Sequence, residues 1–147
     1  MFLVAALNGL NILSTDVGNA YLNAECQEKV HLRCGKQLFG KENEGKYAVI
    51  ARTLNGLKSS GASWRYHFAT EIRNMGFTDT MADNDVYRKK SYSDDKTPYY
   101  EYMVVYVDDV ICISQNPEHW IIFLASQYRL REIGILKRFL GSNIKSK

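Results

Sequence analysis

The chain is short of several things. It has two prolines and ten glycines in 147 residues, which excludes a collagen-like or low-complexity chain. It has three cysteines, Cys26, Cys34 and Cys112, and no Cys-x-x-Cys pair. An odd, sparse set argues against a disulfide scaffold and for a reducing compartment. Long apolar runs are missing too: Phe2 to Leu7 and Trp120 to Ala125 are the longest. A membrane-spanning helix needs ~20 such residues, so no membrane span is expected. Met1 to Leu7 lacks a basic leader, and Asn8 ends its apolar run before the length of a signal peptide.

Charge is scarce in one place and concentrated in another. Residues 1–28 contain no Lys or Arg, only Asp16, Glu25 and Glu28. Residues 129–147 carry Arg129, Arg131, Lys137, Arg138, Lys145 and Lys147 against Glu132. The whole chain is +3, so an acidic start faces a basic end. That asymmetry suits a protein holding a cation at one place and phosphates at another, and equally a solvated basic tail. What remains is ordinary: 46% hydrophobic and 24% charged residues fit one globular domain.

The periodicities predict an α+β domain with a mostly antiparallel sheet. Residues 1–10 read as a short helix or the remnant of one, Asn11 to Val17 as a strand ending on Asp16, and Gly18 to Asn23 as a turn or a single helical turn. Lys29 to Arg33 alternates, which predicts a strand with Val30 and Leu32 inward, and Tyr47 to Ala51 a second. Gly35 to Gly45 reads as a loop. Trp64, Phe68, Ile72 and Met75 recur at helical spacing, predicting a helix capped by Ser59 or Ser60 and stopped at Gly76. Val86 to Lys89 reads as a strand and 91–98 as a polar connection. Tyr99 to Ile113 reads as a hairpin with Asp108 and Asp109 at its turn. Asn116 and Pro117 open a helix to about Tyr128, and 136–144 close the chain as a glycine-broken strand.

The acids are what needs explaining. Asp tolerates turns, so Asp108–Asp109 could be turn chemistry alone. Two adjacent carboxylates also repel, however, and a hard divalent cation relieves that. Asp16 ends another apolar strand; laid beside the hairpin, it would bring three carboxylates to one sheet end. Three such acids suffice for the two-metal arrangement of phosphoryl-transfer enzymes. Cys26, His31 and Cys34 are too irregular, and too few, for a zinc site. Asp79, Asp83 and Asp85 read as loop acids, and Tyr99, Tyr100 and Tyr102 as sheet packing.

Four motifs carry a resemblance. Tyr106-Val107-Asp108-Asp109 resembles the Tyr-x-Asp-Asp box of reverse transcriptases. Thr15 to Leu22, T-D-V-G-N-A-Y-L, resembles the other acidic motif of their palm. Leu54 to Trp64 resembles the Leu-Tyr-Gly-Leu-Lys…Trp segment of copia-type retrotransposon polymerases, with Asn55 in place of Tyr and no proline between Ser59 and Ser63. Gly134 to Gly141, G-I-L-K-R-F-L-G, is similar to the segment that follows the palm hairpin there. The motifs stand in family order over nearly the whole chain.

The resemblance implies a reverse-transcriptase palm with helices packed on one face of its sheet. Residues 1–147 would be a partial domain, palm with part of the fingers, lacking thumb and RNase H. The implied activity is RNA-directed DNA synthesis from deoxynucleoside triphosphates. Asp16, Asp108 and Asp109 would be the catalytic carboxylates. With the backbone carbonyl of Val17 they would hold two Mg²⁺ ions, Mn²⁺ being a substitute. Val17, Tyr21 and Lys58 would bind the nucleotide, Tyr21 as the gate against a 2′-hydroxyl. Tyr106 would contact the primer. Partners would be an RNA or DNA template with primer and the rest of a polyprotein. The location would be intracellular, in a cytoplasmic virus-like particle or the nucleus. The alternative is an inactive remnant that binds nucleic acid or a protein partner.

Overall fold

The structure, a computed structural model, describes residues 1–136, 138–139 and 142–144. The chain divides into two compact units. One joins Met1–Asn19 to Thr70–Lys147, and the other is Ala20–Ala69.

The first unit is built on a six-stranded antiparallel sheet. Its strands are β1 (Asn11–Val17), β4 (Thr78–Asp79), β5 (Val86–Tyr92), β6 (Pro98–Tyr106), β7 (Asp109–Ser114) and β8 (Leu130–Gly134), in the order β4-β5-β6-β7-β1-β8. Strands β2 (His31–Arg33) and β3 (Tyr47–Val49) lie in the second unit. β5, β6 and β7 form a meander, because each turn is short enough to fold its strand straight back. β1 enters from the far end of the chain and sits between β7 and β8.

Period-two alternation gives the sheet two faces. Thr15, Val17, Val110, Cys112 and Met103 lie on one, all buried. There α4 (Glu118–Gln127) packs against β1 and β8, with Trp120, Ile121 and Leu124 buried. Phe77 meets Trp120 edge-on at 5.0 Å, and the Lys89 ammonium lies 4.5 Å from the Trp120 ring centre. Lys89 also donates to the Met75 carbonyl at 2.8 Å, which ties off the end of a helix that crosses from the second unit. The other face carries Ile12, Asp16, Asp109, Ile111 and Ile113. Over Ile111 and Ile113 lie Ala5 of α1 (Phe2–Leu7), Leu10 and Leu136. The expectation of helices on one face is therefore corrected. The two long helices were legible from their stripes, but α1 sets Ala5 against Ile111 and Ile113 and so covers the opposite face.

The closing segment is two short paired strands, β9 (Arg138–Phe139) and β10 (Ser142–Asn143), where one broken strand was expected. Lys137, Leu140 and Gly141 of that motif lie outside the described residues.

In the second unit, a 3₁₀ turn over Ala20–Asn23 is held by residues 52–53. The Thr53 hydroxyl donates to the Tyr21 carbonyl, and Arg52 to the Asn23 carbonyl at 3.2 Å. β2 (His31–Arg33) pairs with β3 (Tyr47–Val49). Leu32, expected inward, is 43% exposed, because this two-stranded ribbon has no layer on that side within its unit. The expected loop after Gly35 contains one turn of helix, α2 (Lys36–Phe39), and a 3₁₀ turn.

α3 (Ser60–Asn74) begins in this unit, and Trp64 and Phe68 stack at 4.8 Å. Its start is not capped as expected. The Ser60 hydroxyl donates to the Leu54 carbonyl, and the Ser59 N–H is taken by the Glu28 carboxylate at 2.9 Å. A carboxylate at a helix start also meets the positive end of the helix dipole. The bond to Ser59, helped by nearby Lys58, holds the Glu28 pKa below the usual carboxylate value.

Candidate active site

The site is assembled at one end of the large sheet. β1 and β7 pair so that Asp16 stands opposite Asp109, although they are 93 residues apart in the chain. Opposed residues of an antiparallel pair point to the same face, so both carboxylates rise from the face that α1 covers farther along. β6 and β7 are joined by only Val107 and Asp108, and Tyr106 pairs with Asp109. The Val17 N–H donates to the Asp108 carbonyl at 2.8 Å, which fixes the turn to the end of β1.

That turn has an unusual backbone. Val107 has φ of 57°, while Asp108 keeps a negative φ. A positive φ at the first loop position alone is the pattern of a tight hairpin turn that glycine normally supplies. A β-branched residue there stores of order 1–3 kcal/mol of strain, the kind that accumulates at functional sites.

The electrostatics are those of crowded acids. Asp109 has its pKa raised, first by burial and then by the charges of Asp108, Asp16 and Glu132. Asp16 is held by a cation: Arg131 Nε and Nη2 each lie 2.7 Å from its Oδ1. The same bond raises the Arg131 pKa. Asp16, Asp109 and Glu132 line a cleft closed by Leu136 and Phe139. Tyr106 lies edge-on to Phe139 at 6.5 Å between ring centres and is 53% exposed.

Of the residues singled out from sequence, Asp16, Val17, Tyr106, Asp108 and Asp109 come together here. Tyr21 and Lys58 belong to the second unit. Tyr21 is half-buried on its 3₁₀ turn, and Lys58 is an exposed neighbour of the Glu28 cap. Arg131 and Glu132 were missed. They lie in β8, whose burial shows no alternation, so only their count in the basic end was visible.

Among the described residues, no group of three or more His, Cys, Asp or Glu is arranged to hold a metal ion as it stands. The donors are nevertheless hard oxygens, and the repulsion that raises Asp109 is what a divalent cation would relieve. In chemistry the set fits Mg²⁺. Its first acid is engaged by Arg131.

An antiparallel sheet with acids at a strand end and a tight hairpin defines a class, and the comparisons give the family. The chain matches the family described as Reverse transcriptase (RNA-dependent DNA polymerase) over residues 1–147. It belongs to that family. It is 25% identical over 132 residues to a putative transposon Ty5-1 protein of Saccharomyces cerevisiae, covering 88% of this chain and 41% of that protein. It is 24% identical over 140 residues to the retrovirus-related Pol polyprotein from transposon RE1 of Arabidopsis thaliana, covering 91% of this chain and 9% of that one. The chain thus spans less than half of either relative, and both are transposon proteins, as the copia-type resemblance implied. No solved structure matches it. Among the described residues, no helix is long and apolar enough to cross a membrane.

Proposed function

We propose that this chain is the catalytic part of a copia-type RNA-directed DNA polymerase, which joins a deoxynucleotide to a primer 3′-hydroxyl on an RNA or DNA template. The observation that carries the reading is the register placing Asp16 opposite Asp109, with Asp108 bound through its carbonyl to Val17. Asp16, Asp108, Asp109 and the Val17 carbonyl would hold two Mg²⁺ ions, or Mn²⁺, whose chemistry is to polarise phosphate and acidify a bound hydroxyl.

The chain's own part is placement. The β1–β7 ladder and the two-residue turn fix the carboxylates before substrate arrives, so little reorganisation is needed at reaction. Tyr106 beside Asp109 would seat the primer end. Tyr21 would bear on the sugar and reject a 2′-hydroxyl, and Lys58 would meet phosphate. Template, primer, nucleotide and the remaining polyprotein are the proposed partners, within the cell.

Primer extension tests this, using an RNA template, a DNA primer and Mg²⁺, in the chain and in a longer polypeptide carrying it. Incorporation should fall by roughly 10²–10³-fold in Asp108→Asn, as when a charge-stabilising group is removed from a reaction centre. Incorporation that survives the substitution sinks the assignment. A remnant that only binds nucleic acid would bind equally with and without Mg²⁺ and with either residue.

A further inference from the structure

Arg131 is held on Asp16 by more than its own side chain. Between the pairs Ser14↔Gly134 and Asp16↔Arg131, β1 advances two residues while β8 advances three. The extra residue makes a bulge, and Glu132 within it has φ of 52°. Bulges re-aim side chains, and this one turns Arg131 onto the strand beside it. Two side chains of β1 secure the bulge: the Thr15 hydroxyl donates to the Arg131 carbonyl at 2.9 Å, and the Ser14 hydroxyl to the Gly134 carbonyl at 3.4 Å.

Position 18 leaves the room. A Cβ added to Gly18 would lie 3.0 Å from the Arg129 carbonyl, 3.4 Å from Arg131 Nε and 3.7 Å from Arg131 Cδ. The glycine therefore admits both the Arg129 backbone just before β8 and the Arg131 stem. Both Arg131 nitrogens go to the same oxygen of Asp16. The arginine side chain is 53% exposed and that of Asp16 only 19%, so the cation can leave into solvent while the acid stays.

We propose that Arg131 is a resident counter-ion of Asp16, which a divalent cation must displace, so that Arg131 sets the metal concentration at which the site fills. The inference rests on the reading of Asp16 as a metal ligand. A guanidinium cannot be deprotonated in a protein, so the exchange is one cation for another on one carboxylate. Relief of carboxylate repulsion favours the divalent ion, and the fork on Oδ1 opposes it. Arg131 is a positioning residue: it keeps Asp16 oriented and neutralised until the metal arrives.

The test is Mn²⁺ titration of the 147-residue chain, reading the free ion by electron paramagnetic resonance, without substrate. Wild type is compared with Arg131→Gln, Arg131→Lys and Asp16→Asn, each checked for folding by circular dichroism. Arg131→Gln should bind Mn²⁺ about two- to fivefold more tightly, the range set by one exposed ion pair. Arg131→Lys keeps the charge but not the fork and should fall between. Asp16→Asn should bind more weakly than wild type. If Arg131→Gln or Arg131→Lys binds no tighter than wild type while Asp16→Asn weakens binding, the counter-ion role is overturned and the metal reading stands. If Asp16→Asn leaves Mn²⁺ binding unchanged, both fall. A merely structural Arg131 would lower the melting temperature and leave metal affinity where it was.

Discussion

Asp109 shows how this site works against its own fold. Its pKa is raised because ionisation is opposed by burial and by three nearby carboxylates. Below its unfolded pKa the carboxyl is protonated in both states and costs nothing. As pH rises through the raised folded pKa, the native state must give up a proton it holds more tightly than the unfolded chain does, so stability falls. Asp109→Asn should therefore be the more stable protein at neutral pH without divalent metal, and its advantage should vanish in acid. Urea denaturation at pH 7 and at pH 3.5 checks this. The strained Val107, two residues before it, adds a second local cost at the same strand end. The carboxylates themselves were legible because acids between apolar strands break the binary pattern. Arg131 was not, because an arginine in a basic stretch breaks nothing.

At the level of elements, periodicity succeeded where a face is buried. Trp64, Phe68, Ile72 and Met75 are all buried, as the spacing of α3 predicts, and β1 and the β6–β7 hairpin fall where their apolar runs do. It failed for β8, an edge strand whose central residues are exposed and whose bulge breaks the period, and for Leu32, whose ribbon has only one other strand. The cap of α3 was hidden for another reason: Glu28 is 31 residues from Ser59, and no local motif announces it. Glu28→Ala should lower the thermal midpoint. Because the folded carboxyl has a depressed pKa, its contribution is present above the unfolded value of 4.5 and is lost as pH falls through the lower folded value. The gap between wild type and variant should be widest near neutrality and close on acidification. A gap constant with pH would mean that the carboxylate charge is not what caps the helix.

For the molecule as a whole, the thiols report integrity. Cys112 lies in the middle of β7 and is buried, and its pKa is pushed up to about 12, first by burial and then by Glu101. Cys34 is buried as well, whereas Cys26 is half-exposed, its thiol donating to the Glu28 carbonyl at 3.3 Å. Thiolate is the reactive form, so alkylation at pH 8 should find one fast cysteine in the native chain and three after denaturation. Two fast thiols without denaturant would mean that one unit opens by itself. The α+β class was readable from the sequence, and so was the hairpin that carries Asp108 and Asp109. The division into units was not, because the boundary at Ala69 and Thr70 runs through an unbroken helix.

The place of β1 also governs when the site exists. β5, β6 and β7 are neighbours in sequence and can pair as soon as they are made or released from denaturant. β1 must cross most of the chain to enter between β7 and β8, and such distant pairings form slowly because the closure entropy is lost before the contacts are gained. The hairpin carrying Asp108 and Asp109 should therefore form early with its acids unaccompanied, and Asp16 should arrive last. Any property needing all three acids should appear on the slowest refolding phase, after most of the β-sheet signal is already in place.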